Sequence, residues 1–169
     1  MPELKFPKIH IGMRIWKTVI AVFICAVLGM LLDIHPFYSM IAAILCMQTN
    51  TTASIKKGAE RLLGTFIGGT AAVLILMLID LTPLKPFSIL YYMIISLSVA
   101  PLIYTNVLLK HEASSYISCV VFFSIVLVHF ESENHYMFAL QRMLETAAGI
   151  VIAVAVNKII RNNDNKKEG

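Results

Sequence analysis

Apolar stretches close to membrane-spanning length recur along most of this sequence and limit what it can fold into. A helix needs about 17 to 25 mainly apolar residues to cross a bilayer. Hydrophobic residues make up 58% of the 169 residues and charged residues 14%, whereas a soluble domain contains about 25% charged residues. One aqueous core cannot bury so much apolar surface. We therefore predict an all-α fold, a polytopic transmembrane helix bundle.

The apolar stretches predict about six helices joined by short loops. They form one transmembrane domain over residues 1–161, followed by a polar C-terminal tail at residues 162–169. The predicted helices cover residues 14–32, 36–49, 62–79, 87–109, 114–129 and 138–160. The second is short for a hydrocarbon core of about 30 Å, and Pro101 predicts a kink or a break into two half-helices in the fourth. Four or five complete spans therefore remain as alternatives.

The distribution of positive charge favours six spans with both termini in the cytoplasm. In that topology every lysine and arginine except Lys85 and Arg142 falls on the cytoplasmic side, as the positive-inside rule requires. The net charge of +4 is spread over several loops without aromatic interleaving. Contact with lipid headgroups explains these cations, and we expect no nucleic-acid partner.

A short pattern, Arg-x-x-x-Thr, begins at Arg14, Arg61 and Arg142, and a small residue follows each threonine three positions later. In the six-span topology the third helix begins inside and the sixth begins outside. This arrangement is typical of transporters built from two inverted three-helix halves. Small residues let membrane helices approach closely, so we predict that helices one, three and six form the packed centre. The predicted packing residues on the third and sixth helices are Gly64, Gly68, Ala72, Gly149 and Ala153.

Ionisable residues inside the predicted spans are candidates for function. A charge facing lipid costs about 2.5 to 3.5 kcal/mol at the bilayer centre, so Arg142 and Glu145 must face protein or water. Lying three residues apart on one helix, they are close enough to pair. The pair either orients the helix at the outer rim or contacts an anion through Arg142. Lys17, one turn into the first helix, either reaches the headgroups or contributes to the same pathway.

The polar run MQTNTTAS at residues 47–54 follows the second helix. Gln48 and Asn50 can satisfy backbone groups at the end of a short helix, or they can line a wet vestibule. Lys57 and Arg61 follow directly. Because a helix N-terminus favours anions, the run and these cations predict a positively charged mouth at the start of the third helix.

The cysteine pattern indicates neither a metal site nor a catalytic site. Cys25, Cys46 and Cys119 lie in apolar segments without metal-ligand spacing, so we predict buried thiols and neither a metal site nor a cofactor. A nucleophile paired with a base is also missing from the sequence pattern. We therefore predict that the protein is not an enzyme.

Three blocks of the sequence resemble the membrane domain of the aromatic acid exporter family: GMRIWKTVIAVFICAVLG, PFYSMIAAILCMQTNTTASIKKGAERLLGTFIGG and LQRMLETAAGIVIAVAVN. That family belongs to the wider fusaric acid resistance group, which is similar to plant aluminium-activated malate transporters. The resemblance implies a multi-pass protein of the bacterial plasma (inner) membrane with six helices, working at least as a dimer on aromatic or other organic carboxylates. Many relatives have Gln-Pro where this chain has Gln48-Thr49, and many continue into a cytoplasmic domain, which we do not expect here.

Two functions are compatible with these observations. The first is gradient-driven efflux or facilitated permeation of organic, including aromatic, carboxylate anions, by a channel or a proton-coupled carrier. The second is a non-transporting membrane scaffold or accessory subunit that assembles through small-residue helix faces. The residues predicted to line the transport pathway are Lys17, Gln48, Asn50, Lys57, Arg61, Thr65, Arg142, Glu145 and Thr146.

Overall fold

The computed structural model describes residues 12–82, 88–128 and 135–160, and within these ranges it is helical with no strands. The helices are α1 (Met13–Leu31), α2 (Phe37–Cys46), α3 (Thr51–Asp80), α4 (Ile89–Leu108), α5 (Glu112–Phe123) and α6 (His135–Ile159). In these ranges, four helices are long and apolar enough to cross a membrane, namely α1, α3, α4 and residues Met137–Ile159 of α6. The predicted all-α membrane bundle is confirmed. The predicted tail at residues 162–169 lies outside the described residues.

The boundary between α2 and α3 differs from the sequence prediction. α2 ends at Cys46 and α3 already begins at Thr51, whereas the sequence placed these points at residues 49 and 62. Local hydrogen bonds explain the shift. The Asn50 side chain accepts from the backbone N–H of Ala53 at 2.7 Å and caps α3, since an N-cap oxygen satisfies a free amide of the first turn. The Ser54 hydroxyl accepts from the backbone N–H of Gln48 at 3.1 Å and closes the turn.

A π-helical turn follows α5, whereas α4 is not broken at Pro101. α4 continues as one helix through Pro101, so the predicted break into two half-helices is not found. A π-helical turn, Ser124–Val128, instead follows α5. The Tyr91 hydroxyl donates to the carbonyl of Val126 at 2.7 Å. This bond satisfies a backbone acceptor where the regular helix has ended.

Glycines set the closest helix contacts. A Cβ at Gly68 would overlap the backbone of Ser118, so α3 and α5 approach backbone to backbone. A Cβ at Gly149 would likewise overlap the carbonyl of Ser39, which joins α6 to α2. The sequence predicted a centre of helices one, three and six. The structure instead pairs α3 with α5 and α6 with α2 most extensively, because glycine permits this approach at those crossings.

α3 and α6 run antiparallel through the middle of the bundle. Gly58 faces Ile150 near the start of α3, and Gly69, further along α3, faces Met143, which comes earlier in α6. One apolar cluster joins α3, α4 and α5 around Leu76 and Phe122. Another joins α1, α2 and α6 around Ala21, Ala43 and Ala153. α3 and α6 hold the polar residues described next.

Candidate anion site

Two arginine side chains, the arginine pair, are buried within the bundle. Arg61 on α3 is 8% exposed and Arg142 on α6 is 5% exposed. Neither forms a salt bridge with a carboxylate in the part of the chain that the structure describes. A buried charge is costly unless it is paired and hydrogen-bonded. The arginine pair is therefore the best candidate for a site that receives an anion.

Several donors of this region have no protein acceptor among the described residues. They are Nε of Arg61, Nε and Nη1 of Arg142, and the hydroxyl of Thr65 one turn after Arg61. A guanidinium carries five N–H donors and no acceptor, and each buried donor left unpaired costs about 1 to 3 kcal/mol. A ligand with oxygen acceptors would compensate that cost.

The electrostatic field of the pair also favours an anion. The two guanidinium groups are close enough to repel each other. Arg142 lies over the ring of Tyr38, 3.9 Å from its centroid, and such a cation–π contact compensates about 0.5 to 2 kcal/mol of the burial cost. The ring carries no formal charge, and Glu145, which also interacts electrostatically with Arg142, offsets only part of the positive field of the two guanidinium groups.

A cleft of about 280 Å³ adjoins Arg61 at the end of the bundle where α1 and α3 begin and α2 and α6 end, which we call the basic end. Lys57 and Glu60 line it and form a salt bridge of 2.8 Å, with 52% of the Lys57 side chain exposed. The other lining residues come from α2 and its following loop, and from α5: Leu45, Cys46, Gln48, Ala113, Tyr116 and Ile117. With two cations and one carboxylate, this Arg61 cleft carries net positive charge.

Glu145 has a different environment from the arginine pair. Its Oε1 accepts from Gln141 Nε2 at 2.9 Å, and no salt bridge joins it to Arg142 in the described ranges. Glu145 lines a mostly apolar groove of about 380 Å³ between α1 and α6. The ion pair considered from the sequence is therefore replaced by a hydrogen bond along the helix.

Lys17, Gln48, Ser54 and Asn157 form a hydrogen-bonded cluster at the basic end, the Asn157 network. Lys17 Nζ donates to Asn157 Oδ1 at 3.0 Å, and Asn157 Nδ2 donates to the Gln48 carbonyl at 3.0 Å and to Ser54 Oγ at 2.8 Å. Beside the network, Arg14 Nε donates to the Met47 carbonyl at 3.0 Å. These bonds satisfy carbonyls that follow the end of α2 and join four helix ends.

Comparison with known proteins identifies the family. The sequence profile of the fusaric acid resistance protein-like family matches residues 19–156. The chain belongs to this family. UPF0421 proteins of Staphylococcus aureus strains USA300, NCTC 8325 and Mu50 are each 44% identical to it over 64 residues, covering 38% of the chain and 20% of the relative. The matched segment thus spans about a fifth of these relatives' length, and no solved structure matches.

Membership of the fusaric acid resistance protein-like family confirms the resemblance identified from the sequence. The family indicates membrane transport or a resistance-related function, and its membrane proteins are transporters rather than enzymes. In this family member, no group of three or more His, Cys, Asp or Glu side chains could hold a metal ion within the described ranges.

The predicted pathway residues fall into separate places in this family member. Lys57, Gln48 and Arg61 meet at the Arg61 cleft, and Thr65 and Thr146 are buried one turn after the two arginines. Lys17 belongs to the Asn157 network, Asn50 caps α3 and Glu145 faces the apolar groove. Gly64, Gly68, Ala72, Gly149 and Ala153 are buried at helix contacts.

Sequence reasoning missed three residues of the site. Tyr38 and Tyr116 were not among its candidates, whereas Tyr38 covers Arg142 and Tyr116 lines the Arg61 cleft. Glu60 was not considered, although its position three residues after Lys57 predicts a helix salt bridge. The tyrosines had no such signal because their partners lie on other helices.

Proposed function

We propose that this chain transports organic carboxylate anions, aromatic ones included, across a bacterial plasma membrane by a gradient-driven route. The observation that supports the proposal is the burial of Arg61 and Arg142 without carboxylate partners among the described residues. A planar guanidinium offers a carboxylate two parallel, charge-assisted hydrogen bonds. Family membership, which indicates membrane transport, supports the same function.

In this proposal the basic end faces the cytoplasm, and the anion enters the Arg61 cleft past Lys57. Cations at this end agree with the positive-inside rule. An inside-negative potential then favours export by about 2.3 kcal/mol per charge for each 100 mV. The transported anion exchanges its water for the donors of Arg61 and Thr65 on entering the bundle.

The scaffold alternative requires small-residue faces that are free to bind other helices. In this structure Gly64 and Gly68 pack against α5 and Gly149 packs against α2, so these faces are occupied within one chain. This occupancy favours transport over scaffolding. The proposal retains a homo-oligomer, with a dimer as its simplest form, held by surfaces other than these glycines.

The test is uptake of labelled benzoate by liposomes that contain the purified protein. Arg61→Met and Arg142→Met should each lower the flux about 100-fold, because two charge-assisted hydrogen bonds of about 1.5 kcal/mol each are lost. Lys56→Met removes a charge from an exposed position of the same helix and should leave the flux within about twofold of wild type. Gel filtration checks that each variant assembles.

Two results would contradict the proposal. One is the absence of carboxylate flux from well-assembled wild-type protein. The other is equal flux in wild type and in both arginine variants, since the buried guanidinium groups would then serve no anion.

A further inference from the structure

Helix lengths repeat between the two halves of the chain. α1, α2 and α3 contain 19, 10 and 30 residues, and α4, α5 and α6 contain 20, 12 and 25. Each half therefore has a span, a short helix and a long helix, in that order. Short segments in corresponding positions of two halves are typical of inverted-repeat transporters.

Close contacts repeat in the same way. The motif Arg-x-x-x-Thr-x-x-Gly occurs on α3 from Arg61 to Gly68 and on α6 from Arg142 to Gly149. Gly68 meets the backbone of Ser118 on α5, and Gly149 meets that of Ser39 on α2. The long helix of each half thus crosses the short helix of the other half, and α3 and α6 run antiparallel, as inversion requires.

The ends of the two short helices are also satisfied alike. The Met47 carbonyl accepts from Arg14, in the first turn of α1. The Val126 carbonyl accepts from Tyr91, in the first turn of α4. Met47 follows Ser39 by as many residues as Val126 follows Ser118, so these carbonyls occupy equivalent positions. Lengths, glycine contacts and carbonyl contacts all give the same correspondence.

Under this correspondence Arg61 and Arg142 are equivalent, but their surroundings differ. Lys57 stands one turn before Arg61, and its equivalent one turn before Arg142 is Phe138. Ile117 lines the Arg61 cleft, and its equivalent is Tyr38, which covers Arg142. Tyr38 and Phe138 meet edge to face, with ring centroids 6.0 Å apart. The Arg61 side is therefore open, and aromatic rings close the Arg142 side.

We propose that Arg61 and Arg142 are two equivalent carboxylate sites of an inverted repeat, and that Tyr38 and Phe138 form a gate that closes the second site in this conformation. The inference rests on the proposed transport of carboxylates. An anion would bind Arg61 from the basic end, pass to Arg142 and leave when the two rings separate. Inverted repeats give alternating access because the two halves can exchange conformations around the site.

The test is to lock the gate with a short bifunctional thiol cross-linker. The variant combines Tyr38→Cys with Phe138→Cys in a background where Cys25, Cys46 and Cys119 are alanine. Cross-linking should lower benzoate flux into liposomes at least about tenfold, because a gate held shut prevents release. Equilibrium dialysis should show benzoate bound to the same cross-linked sample within about twofold of the untreated sample, since the Arg61 cleft stays open. In each single-cysteine variant, treatment with the cross-linker should leave the flux equal to that of the same variant untreated, because one cysteine cannot close the gate.

The outcomes separate this inference from the proposed function. Full flux after complete cross-linking would overturn the gate while leaving carboxylate transport intact. No flux from assembled wild-type protein would contradict both. Should the cysteine background not assemble, Tyr38→Ala and Phe138→Ala in the native chain decide the question. Opening the gate should raise downhill benzoate flux at least about threefold, and unchanged flux in both variants would overturn the gate.

Discussion

The arginine pair and the Asn157 network both place buried polar side chains on α3 and α6, but they differ in hydrogen bonding. In the Asn157 network, the asparagine amide and the Ser54 hydroxyl bond to protein groups. In the arginine pair, three guanidinium nitrogens and the Thr65 hydroxyl have no acceptor within the described residues. A satisfied cluster stabilises a fold, whereas buried donors without acceptors are available to a ligand. Burial alone therefore does not identify a site.

The largest expected effect on stability is in the Asn157 network. Asn157→Ala removes three hydrogen bonds and should lower the free energy of unfolding by about 2 to 3 kcal/mol. Titration of the detergent-solubilised protein with sodium dodecyl sulfate measures this change. Benzoate flux per folded molecule should stay within about twofold of wild type, because the network does not bind the anion. Lys158→Ala, at the exposed neighbouring position, is the control. A stable Asn157→Ala variant without flux would assign the network to the pathway.

Glycine contacts give the next largest effect. Gly68→Ala should destabilise the protein by about 2 kcal/mol, because its Cβ would overlap the backbone of Ser118 and backbone cannot move aside cheaply. Gly69→Ala is the matched control on the same helix, where the nearest atom, Met143 Sδ, lies at 4.0 Å. The control should be neutral or more stable by up to about 1 kcal/mol, because alanine favours helix. Equal destabilisation by both variants would contradict the assigned α3–α5 contact.

Removing a member of the arginine pair should not destabilise the protein as Asn157→Ala does. Arg61→Met replaces a buried, unpaired charge with an apolar side chain, so the free energy of unfolding should stay within about 1 kcal/mol or rise. The same titration measures it, while the flux falls as proposed above. A loss as large as that of Asn157→Ala would show that Arg61 is a structural residue.

The smallest expected effect concerns charges at the mouth of the Arg61 cleft. Lys57→Ala should raise the benzoate concentration for half-maximal flux about threefold, and Glu60→Gln should lower it by a similar factor, because charges at a solvent-accessible mouth act on the anion through a screened field. Flux measured over a range of ionic strength checks this, since both effects should shrink as salt increases. Changes of the same sign in the two variants would contradict an electrostatic role.

Local patterns predicted much of the fold. The apolar runs located the six helices, because burial in lipid needs long apolar segments whatever their partners. They missed the true start of α3, since the polar residues from Thr51 onward form helix through the Asn50 cap. Of the two outcomes predicted at Pro101, a kink or a break, the break does not occur, because one missing hydrogen bond does not end a helix in tertiary contact.

The candidate site was predicted only in part. Arg61 and Arg142 were recognised because charges inside apolar helices are costly wherever they lie. Whether such a residue has partners depends on other helices, which no local pattern reports. Lys17 therefore looked equivalent to Arg61 in the sequence, although its ammonium group donates to Asn157 in the structure. For the same reason the sequence did not indicate that Tyr38 covers Arg142.

The amino-acid sequence by itself determined that this protein lies in a membrane. It also determined the helical elements, the basic end and the two Arg-x-x-x-Thr-x-x-Gly segments, because each depends on residues close together in the chain. The tertiary structure alone decided which buried polar groups find hydrogen-bond acceptors within the protein and which remain available to a ligand. Those outcomes depend on where Tyr38, Ser118 and Asn157 come to lie against helices distant in sequence, because a hydrogen bond requires atoms within about 3 Å of each other.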